Sequence, residues 1–102
     1  MTNPDVSWTS ANMSINSTRT ITVTQKPKYI QMLFINLNVS SGFSGIFDVK
    51  NNKTFRSGYY YSTIHNEAWS NYTDYITSVS ASSVTVKNGY GNNCAVVVNI
   101  YY

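Results

Sequence analysis

Apolar and polar residues alternate along most of this chain, and no stretch keeps a helical period. In "TITVTQ", Ile21 and Val23 fall on one face and Thr20, Thr22 and Thr24 on the other, the period-two pattern of a half-covered strand. "YIQMLFINLN" sets Ile30, Met32 and Phe34 against Tyr29, Leu33, Ile35 and Leu37. Being apolar on both sides, it predicts a central strand covered from two directions. "IFDVK" is a short strand expected to follow a glycine-serine turn, "SSGFSG". "TFRSGYYY" sets Phe55, Ser57, Tyr59 and Tyr61 against Thr54, Arg56 and Tyr60, with Gly58 marking a bulge or a close backbone approach.

The C-terminal third continues in the same way. "YITSVS" reads as a strand, "ASS" as a turn and "SVTVK" as a strand with Val84 and Val86 inward. "NGYGNN" reads as a hairpin loop, because Asn88-Gly89 tolerates the positive φ that such turns require. "CAVVVNIYY" places Cys94, Val96, Val98 and Ile100 on one face and Ala95, Val97, Asn99 and Tyr101 on the other. Branched aliphatic residues dominate these runs, as a pleated surface prefers. The expectation is an all-β chain. Residues 12–102 form a single antiparallel β-sandwich of about six to eight strands, and residues 1–11 form an extended N-terminal arm or an edge strand.

Composition narrows the function. Charged residues make up 11% of the 102 positions, against ~25% in ordinary soluble domains. Asn, Ser and Thr together exceed a third of the chain. Apolar residues at 42% still suffice to drive collapse. A polar surface with few charges fits a fixed assembly or an extracellular binder better than a metabolic enzyme. The net charge of +3 is scattered. Lys50, Lys53 and Arg56 beside the tyrosine run are the nearest approach to a basic stripe, so no nucleic-acid partner is expected. No apolar run approaches a membrane-spanning length, and Met1 to Ser10 lacks the apolar centre of a signal peptide. Membrane insertion is not expected.

Catalytic and metal chemistry have little to draw on. Cys94 is the only cysteine and lies in a run expected to be buried, which excludes an intrachain disulfide and a cysteine zinc site. The acids are Asp5, Asp48, Glu67 and Asp74; with so few, any carboxylate pair is a nominal candidate for glycoside cleavage. His65 and Glu67, two apart, are a poor start for a metal site unless three chains meet on an axis. His65 reads first as a hydrogen-bonded loop residue. The chain is expected to be no enzyme and to carry no metal or cofactor, with a small hydrolase as the remote alternative.

One stretch stands out. "SGYYYSTIHNEAWSNYTDY", from Ser57 to Tyr75, holds five of nine tyrosines, one of two tryptophans and the only histidine. Within it, "STIHNEAWSNYTD" reads as a polar connection longer than the ~4–6 residues usual between elements. Rings beside amides and carboxylates suit a sugar, whose apolar face stacks while its hydroxyls pair with polar neighbours. They equally suit packing at the rim of a core or at a subunit contact. The candidate ligand-binding residues are Trp69 and Tyr72 as stacking rings, His65, Asn66 and Asn71 as hydrogen-bonding groups, and Tyr60 from the adjoining strand.

Two segments carry a resemblance. "TITVTQKPKYIQMLFI" and "YITSVSASSVTVKNGYGNNCAVVVNIYY" resemble the opening and the ending of small β-sandwich domains in bacteriophage tail and fibre proteins. The sandwich also looks, more weakly, like H-type lectins. The resemblance spans the first and last thirds of the core and leaves the aromatic stretch unmatched, so no binding residue carries over from it. It implies a virion appendage on the tail or capsid surface, exposed outside the cell and commonly a homotrimer, that touches a host-surface glycan. The alternative it implies is a structural assembly, capsid-decoration or head-fibre module contacting other virion proteins.

Overall fold

The structure, a computed structural model, describes residues 3–36, 41–51, 53–57, 64–68, 75–89 and 93–102. It is all-β and antiparallel. The strands are β1 (Val6–Met13), β2 (Thr18–Thr22), β3 (Tyr29–Asn36), β4 (Ser41–Asp48), β5 (Lys53–Ser57), β6 (Ile64–Ala68), β7 (Ile76–Val79), β8 (Ser83–Lys87) and β9 (Cys94–Tyr101). Six form one sheet in the order β1-β9-β3-β4-β5-β6, and three form a second in the order β2-β8-β7. The two sheets pack as a sandwich around one core.

Alternation explains that core. Ile30, Met32 and Phe34 of β3 and Cys94, Val96, Val98 and Ile100 of β9 are buried together with Ile21, Ile76, Val84 and Val86 of the smaller sheet. The registers Ile30↔Ile100, Met32↔Val98 and Phe34↔Val96 stack the inward residues in rows across β3 and β9. A one-residue slip would turn every one of them outward, so burial itself holds the register. Phe34 meets the Tyr75 ring edge-on at a centroid distance of 5.4 Å. On the smaller sheet Thr20 and Thr22 remain exposed while Ile21 is sealed. β1 joins the edge of the larger sheet through β9 and packs Val6 and Trp8 against the core.

Two expectations about turns do not hold. Ser41–Gly45, part of the expected glycine-serine turn, belongs to β4, where Gly45 pairs with Met32 and Gly42 with Ile35. Pairing with β3 overrides the turn preference of these residues. "NGYGNN" does not close a hairpin either. β8 pairs with β2 and β7, whereas β9 pairs with β1 and β3, so this connection passes from one sheet to the other. Among the described non-glycine residues, positive φ occurs at Asn16, at 63°, in the β1–β2 turn. Asn is among the residues that tolerate this conformation best.

Asn88 works instead as an internal clasp. It is fully buried. Its side-chain amide donates to the Met13 carbonyl at 2.8 Å, and its backbone N–H donates to the Ser17 carbonyl at 3.0 Å. Its own carbonyl accepts from the Asn16 N–H at 2.8 Å. One residue thereby ties the β1–β2 turn to the end of β8. At the chain end, the Tyr102 N–H donates to the Asp5 carboxylate at 2.7 Å, and the Tyr102 hydroxyl accepts from the Thr24 N–H at 3.0 Å.

Candidate recognition surface

The strands that bury Ile30, Met32 and Phe34 present Tyr29, Gln31, Leu33 and Ile35 on the opposite face, which the smaller sheet does not cover. The register makes rows of that face. Tyr29 lies opposite Tyr101, Gln31 opposite Asn99, Leu33 opposite Val97 and Ile35 opposite Ala95. β1 extends the second row, with Ser7 opposite Asn99. Successive rows are ~7 Å apart along a strand, and neighbouring strands are ~5 Å apart.

The second row is a cross-strand hydrogen-bonded ladder. The Ser7 hydroxyl donates to Asn99 Oδ1 at 2.8 Å, and Asn99 Nδ2 donates to Gln31 Oε1 at 3.3 Å. This chain of bonds orients both amides and directs the Gln31 NH₂ away from Asn99. Among the described residues that NH₂ has no acceptor, so its two donors are free for another molecule. The adjoining row holds two phenols, Tyr29 at 40% exposure and Tyr101 half-buried. Neither hydroxyl has a partner among the described residues. Fixed amides beside partly exposed rings, carried on strands rather than loops, form a preorganised polar-aromatic surface. On its far side Leu33 and Val97 continue the face in aliphatic groups.

Of the six residues expected to bind ligand, two are described. Trp69, Tyr72, Asn71 and Tyr60 lie outside the described residues. His65 and Asn66 lie on β6, the edge of the larger sheet next to β5. His65 is therefore a strand residue and not the loop residue expected. The supposed long polar connection is interrupted by a five-residue strand. Pattern alone gave no hint of β6, because Ile64–Ala68 has polar residues on both alternating sets.

Two of the acids, Asp5 and Asp48, tie the chain by hydrogen bonds. Asp5 accepts from Tyr102, and Asp48 accepts from the Asn51 backbone at 3.2 Å and from its amide at 2.8 Å, holding the turn after β4. No group of three or more metal-ligating side chains occurs among the described residues. Burial pushes the Cys94 thiol above its ordinary value of 9.0, against the opposing hydrogen bonds from Asn88 and the Ile35 backbone. A thiol held neutral is a weak nucleophile.

The surface residues Tyr29, Gln31, Asn99 and Tyr101 were visible in the sequence only as the less apolar sides of two strands. Their meeting depends on pairing β3 with β9 across more than sixty positions, which no local pattern encodes. No helix among the described residues is long and apolar enough to cross a membrane. Comparison of the chain with protein-family models, with curated proteins and with solved structures finds no match.

Proposed function

We propose that this chain is a non-catalytic recognition domain of a bacteriophage tail or fibre that holds a host-surface glycan on the outward face of its larger sheet, at the end that carries Tyr29. The observation that carries the glycan reading is the oriented Ser7–Asn99–Gln31 ladder beside the Tyr29–Tyr101 pair. A pyranose laid across the two rows stacks its C–H face on a phenol and gives its hydroxyls to the amides. The Gln31 donors, which have no acceptor among the described residues, gain one in the complex. The virion setting follows from the resemblance of the β2–β3 and β7–β9 segments to phage tail and fibre sandwiches.

Glycan-array screening followed by calorimetry on Tyr29→Ala, Gln31→Ala and Trp69→Ala tests the reading. Loss of about 1–3 kcal/mol of binding energy in the first two variants is expected, as for a ring and a hydrogen-bonding group at the centre of a contact. Absence of glycan binding by the wild type, or unchanged affinity in both variants, overturns it. Loss in Trp69→Ala alone would move the site to the aromatic stretch, with Tyr72, His65, Asn66, Asn71 and Tyr60 as its other members.

The aliphatic rows of the same face favour a second reading. Leu33 is buried at 7% exposure yet lies outside the core cluster, with Val97 opposite it. A face of this kind suits a subunit contact in a homotrimer or a capsid-decoration module. Sedimentation then shows a trimer whose stability rises with concentration, and Val97→Asp, at a partly exposed position of that face, yields a folded monomer.

A further inference from the structure

We propose that the cleft beside β7 is a docking site for an extended acidic peptide, which adds a strand to the smaller sheet, seats one apolar side chain between the sheets and places a carboxylate on Lys26. This site is separate from the outward face of the larger sheet and does not depend on glycan binding.

Three observations converge on it. A cavity of about 200 Å³ opens between the smaller sheet's β7 and the end of β4, lined by Phe47, Val49, Ile76 and Val79, with Lys26, Thr77 and Ser78 at the rim. Ligand pockets for whole small molecules run to ~300–1,000 Å³, and this cleft, open to solvent and partly polar, is smaller. This volume therefore suits a single leucine- or phenylalanine-sized side chain. It is too small to enclose a cofactor.

The second observation is the strand edge. β7 ends the order β2-β8-β7, and among the described residues Ile76–Val79 bond only toward β8. Among the described residues, no strand pairs with the main-chain donors and acceptors along its other side, which suit an added strand. Such edges are usually guarded by charge. β2, the opposite edge of the same sheet, carries Arg19, whereas β7 reads Ile-Thr-Ser-Val and carries none.

The third is charge. Lys26 is exposed at the rim of the cavity and has no carboxylate partner among the described residues. Side chains along an added strand return to the same face every second residue. A peptide with its apolar residue in the cavity can then bring a carboxylate two positions along to the ammonium group. The low charge of the chain, with +3 net, leaves little else to compete for that contact.

The test uses fluorescence anisotropy with the full chain and labelled octapeptides of alternating valine and threonine. One peptide carries a phenylalanine with an aspartate two residues on; its counterparts carry threonine for the phenylalanine or lysine for the aspartate. The phenylalanine–aspartate peptide is expected to bind about tenfold more tightly than either counterpart, the discrimination of one buried anchor or one charge pair. Lys26→Glu should reverse the preference between aspartate and lysine. Val49→Phe, which fills the cavity from within, should abolish the preference for phenylalanine while leaving the fold intact by near-UV dichroism. Equal binding of all three peptides, no binding, or a preference unchanged in Lys26→Glu overturns the proposal. Two further results overturn it in favour of another occupant. Displacement by free 3-phenylpropanoate with the affinity of the peptide indicates a small-carboxylate site. A dimer in sedimentation that Ser78→Pro dissociates indicates a second copy of the chain.

Discussion

β3 and β9 have two faces made from the same two strands, and the faces differ in kind. Inward, Ile30, Met32, Phe34, Val96, Val98 and Ile100 are apolar and at most 3% exposed. Outward, across the same backbone hydrogen bonds, lie two phenols, two amides, a leucine, an isoleucine, a valine and an alanine. The inner face is what a sandwich requires, since each residue there gains free energy by leaving water. The outer face is more mixed: it buries Leu33, and the Gln31 amide on it has donors with no acceptor among the described residues. Selection for folding alone would be satisfied by threonines, as on Thr20 and Thr22 of the smaller sheet. The contrast separates residues that hold the scaffold from residues free to recognise another molecule.

The largest break in this contrast is expected at the centre of the inner face. Phe34→Ala should cost about 3–5 kcal/mol, read as a lower urea midpoint with unchanged slope. A value under about 1 kcal/mol would mean that the ring is not the packing centre its burial implies. Next comes the clasp. Asn88→Ala removes the donor to the buried Met13 carbonyl and should cost about 1–3 kcal/mol in the same measurement.

A smaller effect belongs to Cys94. Its pKa is raised by burial, so the native state holds its proton more tightly than the unfolded chain. The resulting stability is present below the unfolded pKa and is lost as pH rises through and above about 9. Wild type should therefore lose stability relative to Cys94→Ala over that range, and iodoacetamide should label the thiol only once the protein is unfolded. Labelling of the native protein at pH 8 would contradict its burial. The smallest effect on folding is expected outside: Tyr29→Ala should change stability by no more than about 0.5 kcal/mol, while weakening the glycan contact.

Much of the sandwich could be read from alternation. Ile21, Val84, Val86, Val96, Val98 and Ile100 fall inward as their spacing requires, because one face of each strand had to be apolar. The β7–β8 turn was also legible: the Ser80 hydroxyl accepts from the Ser82 and Ser83 backbones, the local bonding that makes serine a turn residue. What could not be read is which strands pair. Asn88-Gly89 has the chemistry of a hairpin, yet its flanking strands go to different sheets, because packing of both strands across the core outweighs a two-residue preference. Gly42 and Gly45 looked like a turn for the same reason and lie in β4. The candidate surface was hidden by distance in the chain: Ser7, Gln31 and Asn99 become neighbours only after β1, β9 and β3 assemble. Most of the aromatic stretch, Tyr60, Trp69, Asn71 and Tyr72 among it, lies outside the described residues.

The most direct measurement is a ¹⁵N-resolved titration of the protein with a glycan identified on the array, following backbone and side-chain amide shifts together. If the outward face of the larger sheet is the binding surface, the Gln31 and Asn99 side-chain NH₂ signals and the amides of Tyr29 and Tyr101 move first and saturate together, while Ile30, Phe34 and Val98 stay within the noise. Shifts that leave Gln31 and Asn99 untouched and gather on residues 69–74 would contradict the account.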